Sequence, residues 1–319
     1  MTALPYLLHG STLALAWLLL SNVAATVLVT LVALRLTSRS RAGSPGFWLA
    51  LRLSPAAVSL AFVAFVFLPS YWRYEPREFV EGFDLSLTTL AVLGLVVVGA
   101  AIVRGATALR RARRRADEWM LAGRPLTLAE TSIPAYAIES DAPVMALVGV
   151  LRPRLLITRP VLEALSDEEL RAGIAHELGH WRASDNLKRL AMRAAPDLLF
   201  ATRAARALER RWAAASEQVA DRGVGDNGRA RCALASALVK VARLTPPVSS
   251  IAEPISALVD GGDITARVQR LLDDAPSAAT PRSARWLALT ISAGALVLGY
   301  APLLRIVHRV TETLVNTLP

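Results

Sequence analysis

Cysteine is almost absent from this sequence. Cys232 is the only one in 319 residues, so neither a disulfide framework nor a cysteine-ligated metal site can form. Its plain reading is a small apolar residue in a helix. Lysine is nearly as scarce. Lys188 and Lys240 stand alone, and arginine carries nearly all of the net charge of +10. Histidine occurs only four times, so two histidines close together carry information. No internal repeat is present. The first apolar run has no basic segment before it and is too long for a signal peptide.

Apolar residues are abundant: 54% of the chain is hydrophobic, with a mean hydropathy of +0.41. That is too apolar for an ordinary soluble domain and points to membrane spans. Apolar runs cover about Leu13–Leu34, Leu53–Leu68, Leu85–Val103 and Trp286–Val307. A span takes roughly 17–25 such residues. The first, third and fourth runs qualify outright, and Phe47, Trp48, Tyr71 and Trp72 flank the second as an interfacial belt would. The sequence therefore predicts a mainly α membrane protein with four transmembrane helices. Residues 1–103 form a membrane domain with spans at about 13–34, 50–69 and 85–103. Residues 104–283 form an α+β domain, and 284–319 a fourth span with a short C-terminus.

Arginine placement orients these spans. Arg35, Arg39, Arg41 and Arg52 follow the first span, and Arg104 and Arg110 to Arg115 follow the third. The second link mixes Arg73 and Arg77 with Glu75, Glu78, Glu81 and Asp84. Positive charge stays on the cytoplasmic side. The N-terminus and the short C-terminus are then outside, and residues 104–283 are cytoplasmic. The arginines set topology, so no direct nucleic-acid partner is expected; the bilayer is the partner they indicate. His9 and His308 read as interfacial residues.

Within the domain, a basic helix runs to about Met120. Short β-type runs follow at Ala135–Glu139, Val144–Val150 and Arg154–Thr158, separated by Pro-containing turns, and predict a small, mostly antiparallel sheet. Ser166-Asp167-Glu168-Glu169 is a capping box opening a helix. A second long helix covers about Ala201–Arg222. The stretch 245–254 reads as a loop, 263–273 as a short amphipathic helix, and 276–283 as a linker to the fourth span.

The capped helix contains His176-Glu177-Leu178-Gly179-His180, the pattern H-E-x-x-H. Residues four apart share one helix face, so both imidazoles can reach one metal ion, while Glu177 can take a proton from a water that the ion activates. A catalytic zinc site needs a third protein ligand. No histidine follows closely, which leaves a carboxylate. Glu217 on the next long helix is the best candidate and Glu209 its rival. Asp221, one turn after Glu217, and Asp185 can hydrogen-bond the ligand histidines from behind; Asp185 can also simply pair with Lys188 or Arg189. Arg222, Arg229 and Arg231 are the candidates for stabilising an oxyanion. Val144–Gly149 can serve as an edge strand on which a peptide lies as an added strand.

Ala142-Pro143, Gly149, Pro153 to Ile157, Leu165 to Leu170, the H-E-x-x-H motif, Asp185, Glu217 with Ala220-Asp221, and the late Ala266–Leu272 segment together resemble gluzincin membrane peptidases. Two related families share the pattern: BlaR/MecR-type antirepressor metallopeptidases and HtpX-type membrane proteases. Three spans before the motif and one after it resemble the BlaR/MecR layout. The resemblance implies a zinc cofactor held by His176, His180 and Glu217, with Glu177 as general base. It implies an endopeptidase in a bacterial inner (plasma) membrane that acts on a cytoplasmic protein, a transcriptional repressor, and on itself; a homo-oligomer is compatible with that layout. The chain departs from the pattern in having no penicillin-binding sensor domain before Pro319, which argues against direct β-lactam sensing. A quality-control protease of HtpX type and a non-proteolytic receptor with a structural zinc are the alternatives.

Overall fold

The computed structural model describes residues 3–37, 43–76, 84–121, 123–129, 131–150, 152–225, 227–244, 256–257, 264–273, 300 and 302–317. Among them, three helices are long and apolar enough to cross a membrane. The first is α1 (Ala3–Thr37). The second opens with Ser44, whose side chain accepts a hydrogen bond from Phe47 N, and with Pro45 in the first turn, where a missing N–H costs nothing. It runs as α2 (Pro45–Phe62), a π-helical turn (Val63–Phe67) and α3 (Leu68–Tyr74). Pro69 explains the wide turn, because its ring presses on the preceding turn and it supplies no N–H. The third is α4 (Leu85–Leu121).

All three exceed the lengths expected from hydropathy. The second extends the expected 50–69 at both ends. The third passes residue 103 without a break, and its basic half continues as a rod that packs Ala116, Trp119 and Met120 onto the sheet. Outward-facing leucines and valines, such as Leu28, Leu31 and Val103, suit a lipid surround. Of the expected fourth span, residues 284–299 lie outside the described residues, as do 245–254 and the linker 276–283. Residues 302–317 are helical and pack Leu303 and Val307 against Tyr6, Leu13, Phe67, Tyr71 and Leu87.

The sheet has five strands in the order β1-β2-β4-β3-β5: β1 (Gly123–Leu126), β2 (Ala135–Ile138), β3 (Met145–Val148), β4 (Arg154–Thr158) and β5 (Ser256–Ala257). The three expected runs are strands, but the sheet is mixed, because β2 pairs parallel with β4. Apolar patterning marks a strand without fixing its direction. The β3–β4 connection turns at Gly149, where φ is +93° and a Cβ would lie 2.5 Å from Arg152 O. Only glycine fits there. β3 is not a free edge either, since Ala146 and Leu147 pair with Ala257 and Ser256.

Helices α5 (Arg159–Ala164), α6 (Asp167–Arg182), α7 (Asp185–Ala194), α8 (Arg203–Arg222), α9 (Gly228–Leu244) and α10 (Ile264–Leu272) complete the domain. One core lies between the sheet, α6, α9 and α10, built from Met145, Leu147, Ile157, Ile174, Leu234, Leu238 and Leu271. A second joins the domain to the apolar bundle through Val29, Ala33, Trp48, Leu199, Leu208 and Trp212.

Polar side chains from all three apolar helices converge on that junction. Asn22 donates to Pro196 O (2.9 Å) and accepts from Leu198 N (3.0 Å). Arg52, 1% exposed, donates to Asp197 (3.0 Å), Glu209 (2.9 Å) and Met192 O (3.0 Å). Arg104 donates to Ala195 O at 2.9 Å and lies over the Phe200 ring. The segment that joins α7 to α8 is thereby tied to the apolar helices.

Candidate metal centre

The expected capping box is formed. Ser166 Oγ accepts from Glu169 N, and Glu169 accepts from Ser166 N at 2.7 Å. It starts α6, and the 3.6-residue period then puts His176, Glu177 and His180 on the buried side, none of them more than 2% exposed. Gly179 faces α8: a Cβ there would lie 3.2 Å from Ala220 Cα. A small residue is needed for α8 to come close enough to present its carboxylates.

Contacts between the helices run in opposite order along the chain, as antiparallel packing requires. His176 Nδ1 lies 3.0 Å from Asp221, and His180 Nε2 lies 3.4 Å from Glu217. His180 Nδ1 lies 2.8 Å from Asp185, which also accepts from Lys188 and from Ser216 Oγ. Asp185 reaches His180 because the chain reverses at Ser184, a left-handed residue with φ 56°. Of the expected residues, His176, His180, Glu217, Asp221 and Asp185 are all brought together.

Each imidazole thus has a carboxylate oxygen within 3.0 Å of Nδ1, and an anion there favours the proton on Nδ1. Both Nε2 lone pairs then face inward, 3.2 Å apart, with Glu217 oxygens 3.4 and 3.5 Å away. With both Nδ1 atoms protonated, two Nε2 lone pairs at that distance repel, and a proton or a metal ion between them relieves the repulsion. Metal–ligand bonds of about 2.0–2.2 Å at tetrahedral angles put neighbouring ligand atoms about 3.3–3.5 Å apart. The three atoms fit that triangle, and His176, His180 and Glu217 could hold a metal ion.

The surrounding field favours positive charge. Burial opposes protonation of His180, but Asp185, Glu217 and Glu177 outweigh it and push the imidazole up to about 10. Burial raises Glu217 too, yet the two histidines hold its carboxyl well below the usual range. Glu177 is fully buried, its Oε2 accepting from Leu147 N at 3.3 Å, and burial pushes its carboxyl up.

Other candidates lie elsewhere. Glu209 binds Arg52. Arg229 pairs with Glu168 on the surface, and Arg222 and Arg231 line, with Asp221, a cavity of about 200 Å³. The arginine nearest the histidines is Arg267 of α10. It donates to Asp221 (2.6 Å), lies 3.0 Å from Glu217, and is 3% exposed. Asn186 donates to Leu147 O and Gly149 O and ties α7 to β3. Neither was singled out by spacing. Arg267 lies 91 residues after His176 in the chain, yet its Nη2 comes within 3.4 Å of His176 Nε2.

Two histidines one turn apart, a glutamate between them, and a carboxylate from a later helix are the residue set of the H-E-x-x-H metallopeptidases. Sequence comparison agrees. Residues 109–252 match the profile of Peptidase family M48. The chain is also similar to a protease HtpX homolog of Thermoplasma volcanium, with 40% identity over 80 residues, or 24% of this chain and 23% of that protein. The match thus spans less than a quarter of the relative's length. The similarity to M48 peptidases thus covers the domain that carries the His176 centre, and three apolar helices long enough to cross a membrane accompany it.

Proposed function

We propose that this chain is a membrane-embedded zinc endopeptidase in which His176, His180 and Glu217 hold the ion and Glu177 is the general base. The observation that carries this reading is the inward-facing Nε2–Nε2–carboxylate triangle with both Nδ1 atoms engaged by carboxylates. When bound, zinc would supply Lewis acidity toward the scissile carbonyl and an acidified water. Glu177 takes the proton of the attacking water and returns it to the leaving amine. Its burial suits that task, because a carboxylate with a raised pKa is the stronger base. Asp221 and Asp185 fix the imidazole tautomers. Arg267 holds Glu217 and Asp221 in register.

The arginine asymmetry supports a cytoplasmic peptidase domain with the N-terminus outside and a fourth span through residues 284–319. The three-plus-one layout favours a cytoplasmic repressor as substrate, in the manner of the BlaR/MecR-type family. β5 keeps a piece of the chain paired to β3 beside Glu177, which supports self-cleavage. The similarity to a protease HtpX homolog favours a second reading, a quality-control protease. Comparative proteomics of cells carrying wild type or Glu177→Ala separates them. A truncated repressor present only with wild type supports the first reading, and many cleaved membrane proteins support the second. No difference between the two strains contradicts both.

A further inference from the structure

A second cluster with metal-ligating chemistry lies at the other end of the bundle. Glu75 follows α3, and His308 and Glu312 stand on the 302–317 helix. One ligand atom from each falls within 4.8 Å of the others. His308 and Glu312 are four residues apart and share one face. Glu75 is fixed by its own backbone, since its N–H donates to Tyr71 O at 3.0 Å and ends the helix. Its Oε2 lies 3.9 Å from His308 Nδ1. Tyr74 stacks on the His308 ring (5.5 Å between centroids, 27° between planes) and sets its orientation.

The frame behind the cluster is rigid. Ser70 Oγ donates to Leu304 O at 2.8 Å, and Trp17 Nε1 donates to Thr311 Oγ1 at 3.1 Å. Val307 is buried against Tyr6, Leu13 and Tyr71. The cluster itself is partly open, with side-chain exposure of 24% for His308 and 13% for Glu75. Tyr6 packs at this end and Val29 at the peptidase junction. A helix rises 1.5 Å per residue, so the two ends are about 35 Å apart. The cluster therefore cannot share a ligand with the His176 centre.

We propose that Glu75, His308 and Glu312 form a second, separate site for a divalent transition-metal ion such as Zn²⁺. One imidazole nitrogen and two carboxylates, with no sulfur, suit borderline to hard divalent ions and not Cu(I). Ligands around one ion at about 2.1 Å lie at most about 4.2 Å apart, so a sub-ångström rotamer adjustment closes the set. Arg305 and Arg73 lie on the Tyr74 side and oppose a cation. The two carboxylates offset them, and the cost shows as modest affinity. An ion here would pin the 302–317 helix to the end of α3 and give the far side of the bundle a metal-dependent contact.

The test is metal content. Full-length chain in detergent micelles is dialysed to equilibrium against buffered Zn²⁺, and bound zinc is measured as the excess over the dialysate. Wild type, His308→Ala and Glu312→Gln are compared, with size exclusion and circular dichroism as controls of folding. His308→Ala should hold about one equivalent less than wild type, whatever the total. Glu312→Gln should give up the same equivalent at a higher free Zn²⁺ than wild type does. Zinc should raise the melting temperature of wild type more than that of His308→Ala. Equal zinc content in wild type and folded His308→Ala, or equal stabilisation of both, would overturn the proposal. The comparison is a difference between chains with an intact His176 centre, so it stands apart from the peptidase reading.

Discussion

Two buried charge clusters hold this molecule to its purpose, and they are built in opposite ways. At the junction, the cation belongs to the chain: Arg52 meets Asp197, Glu209 and a backbone carbonyl, so its donors are matched by fixed acceptors. At His176, acceptors converge. Glu217, Asp221, Asp185 and Glu177 surround two imidazoles whose Nε2 atoms face each other, and Arg267 reaches Glu217 and Asp221 on α8 and comes within 3.4 Å of His176 Nε2. A cluster that closes on itself holds structure. A cluster whose donors aim at a common point calls for something that can be exchanged. The two are physically joined, because Arg52 binds the helix that carries Glu217 two turns later.

The largest effect that sharpens this contrast is at Glu177. Glu177→Gln should lower peptide cleavage by about 10³-fold or more, because the residue supplies the proton transfer, while zinc content is unchanged. Turnover with purified chain and a cleaved substrate checks it; a small loss would make Glu177 structural. Arg52→Met comes next. It strands Asp197 in the interior and should destabilise the chain by about 3–5 kcal/mol in detergent denaturation. Adding Asp197→Asn, which keeps an acceptor for Phe200 N, should restore part of that loss. If the double variant is no better, the junction is not held by its charges.

Glu169 gives a pH-dependent test away from both clusters. Burial alone would raise its carboxyl, but Lys240, Ser236 and the Ser166 backbone hold it down at about 2. A depressed folded pKa means stability that is fully present above the ordinary glutamate range and lost as pH falls through it toward about 2. Glu169→Gln should cost about 1–2 kcal/mol near neutral pH and flatten acid unfolding over that window. The smallest effect is at Ser184. Glycine tolerates its left-handed backbone, so Ser184→Gly should be neutral or stabilise by up to about 1 kcal/mol. A large loss there would mean that the Ser184 side chain, and not the turn, brings Asp185 to His180.

Most of the centre was legible because its signals are local. The capping box, the four-residue histidine spacing, and the Glu217–Asp221 pair one turn apart each follow from helix geometry. What escaped depends on tertiary placement. The parallel pairing of β2 with β4 leaves no mark on either strand's pattern. The covering of β3 by β5 joins segments over a hundred residues apart (Ala146 to Ala257). Helix α7 is short and charged, and α9 opens on a lone Asn227, whose side chain caps Arg229 N, with no acidic first turn beside it to mark the start. Arg52 read as a topology marker, and only the fold shows that it is buried against Asp197. Nothing in the local pattern sets Arg267 apart from the other arginines, and its closeness to Glu217 comes from α10 packing on α9, from where the long side chain reaches α8.

X-ray absorption at the zinc edge, on full-length chain carrying His308→Ala, tests the central claim most directly. The account predicts one ion with two imidazole ligands at about 2.0–2.1 Å, the remainder oxygen and no sulfur, and loss of tight binding in Glu217→Gln. A spectrum with one imidazole or with three, or zinc retained as tightly by Glu217→Gln as by the parent, would contradict it.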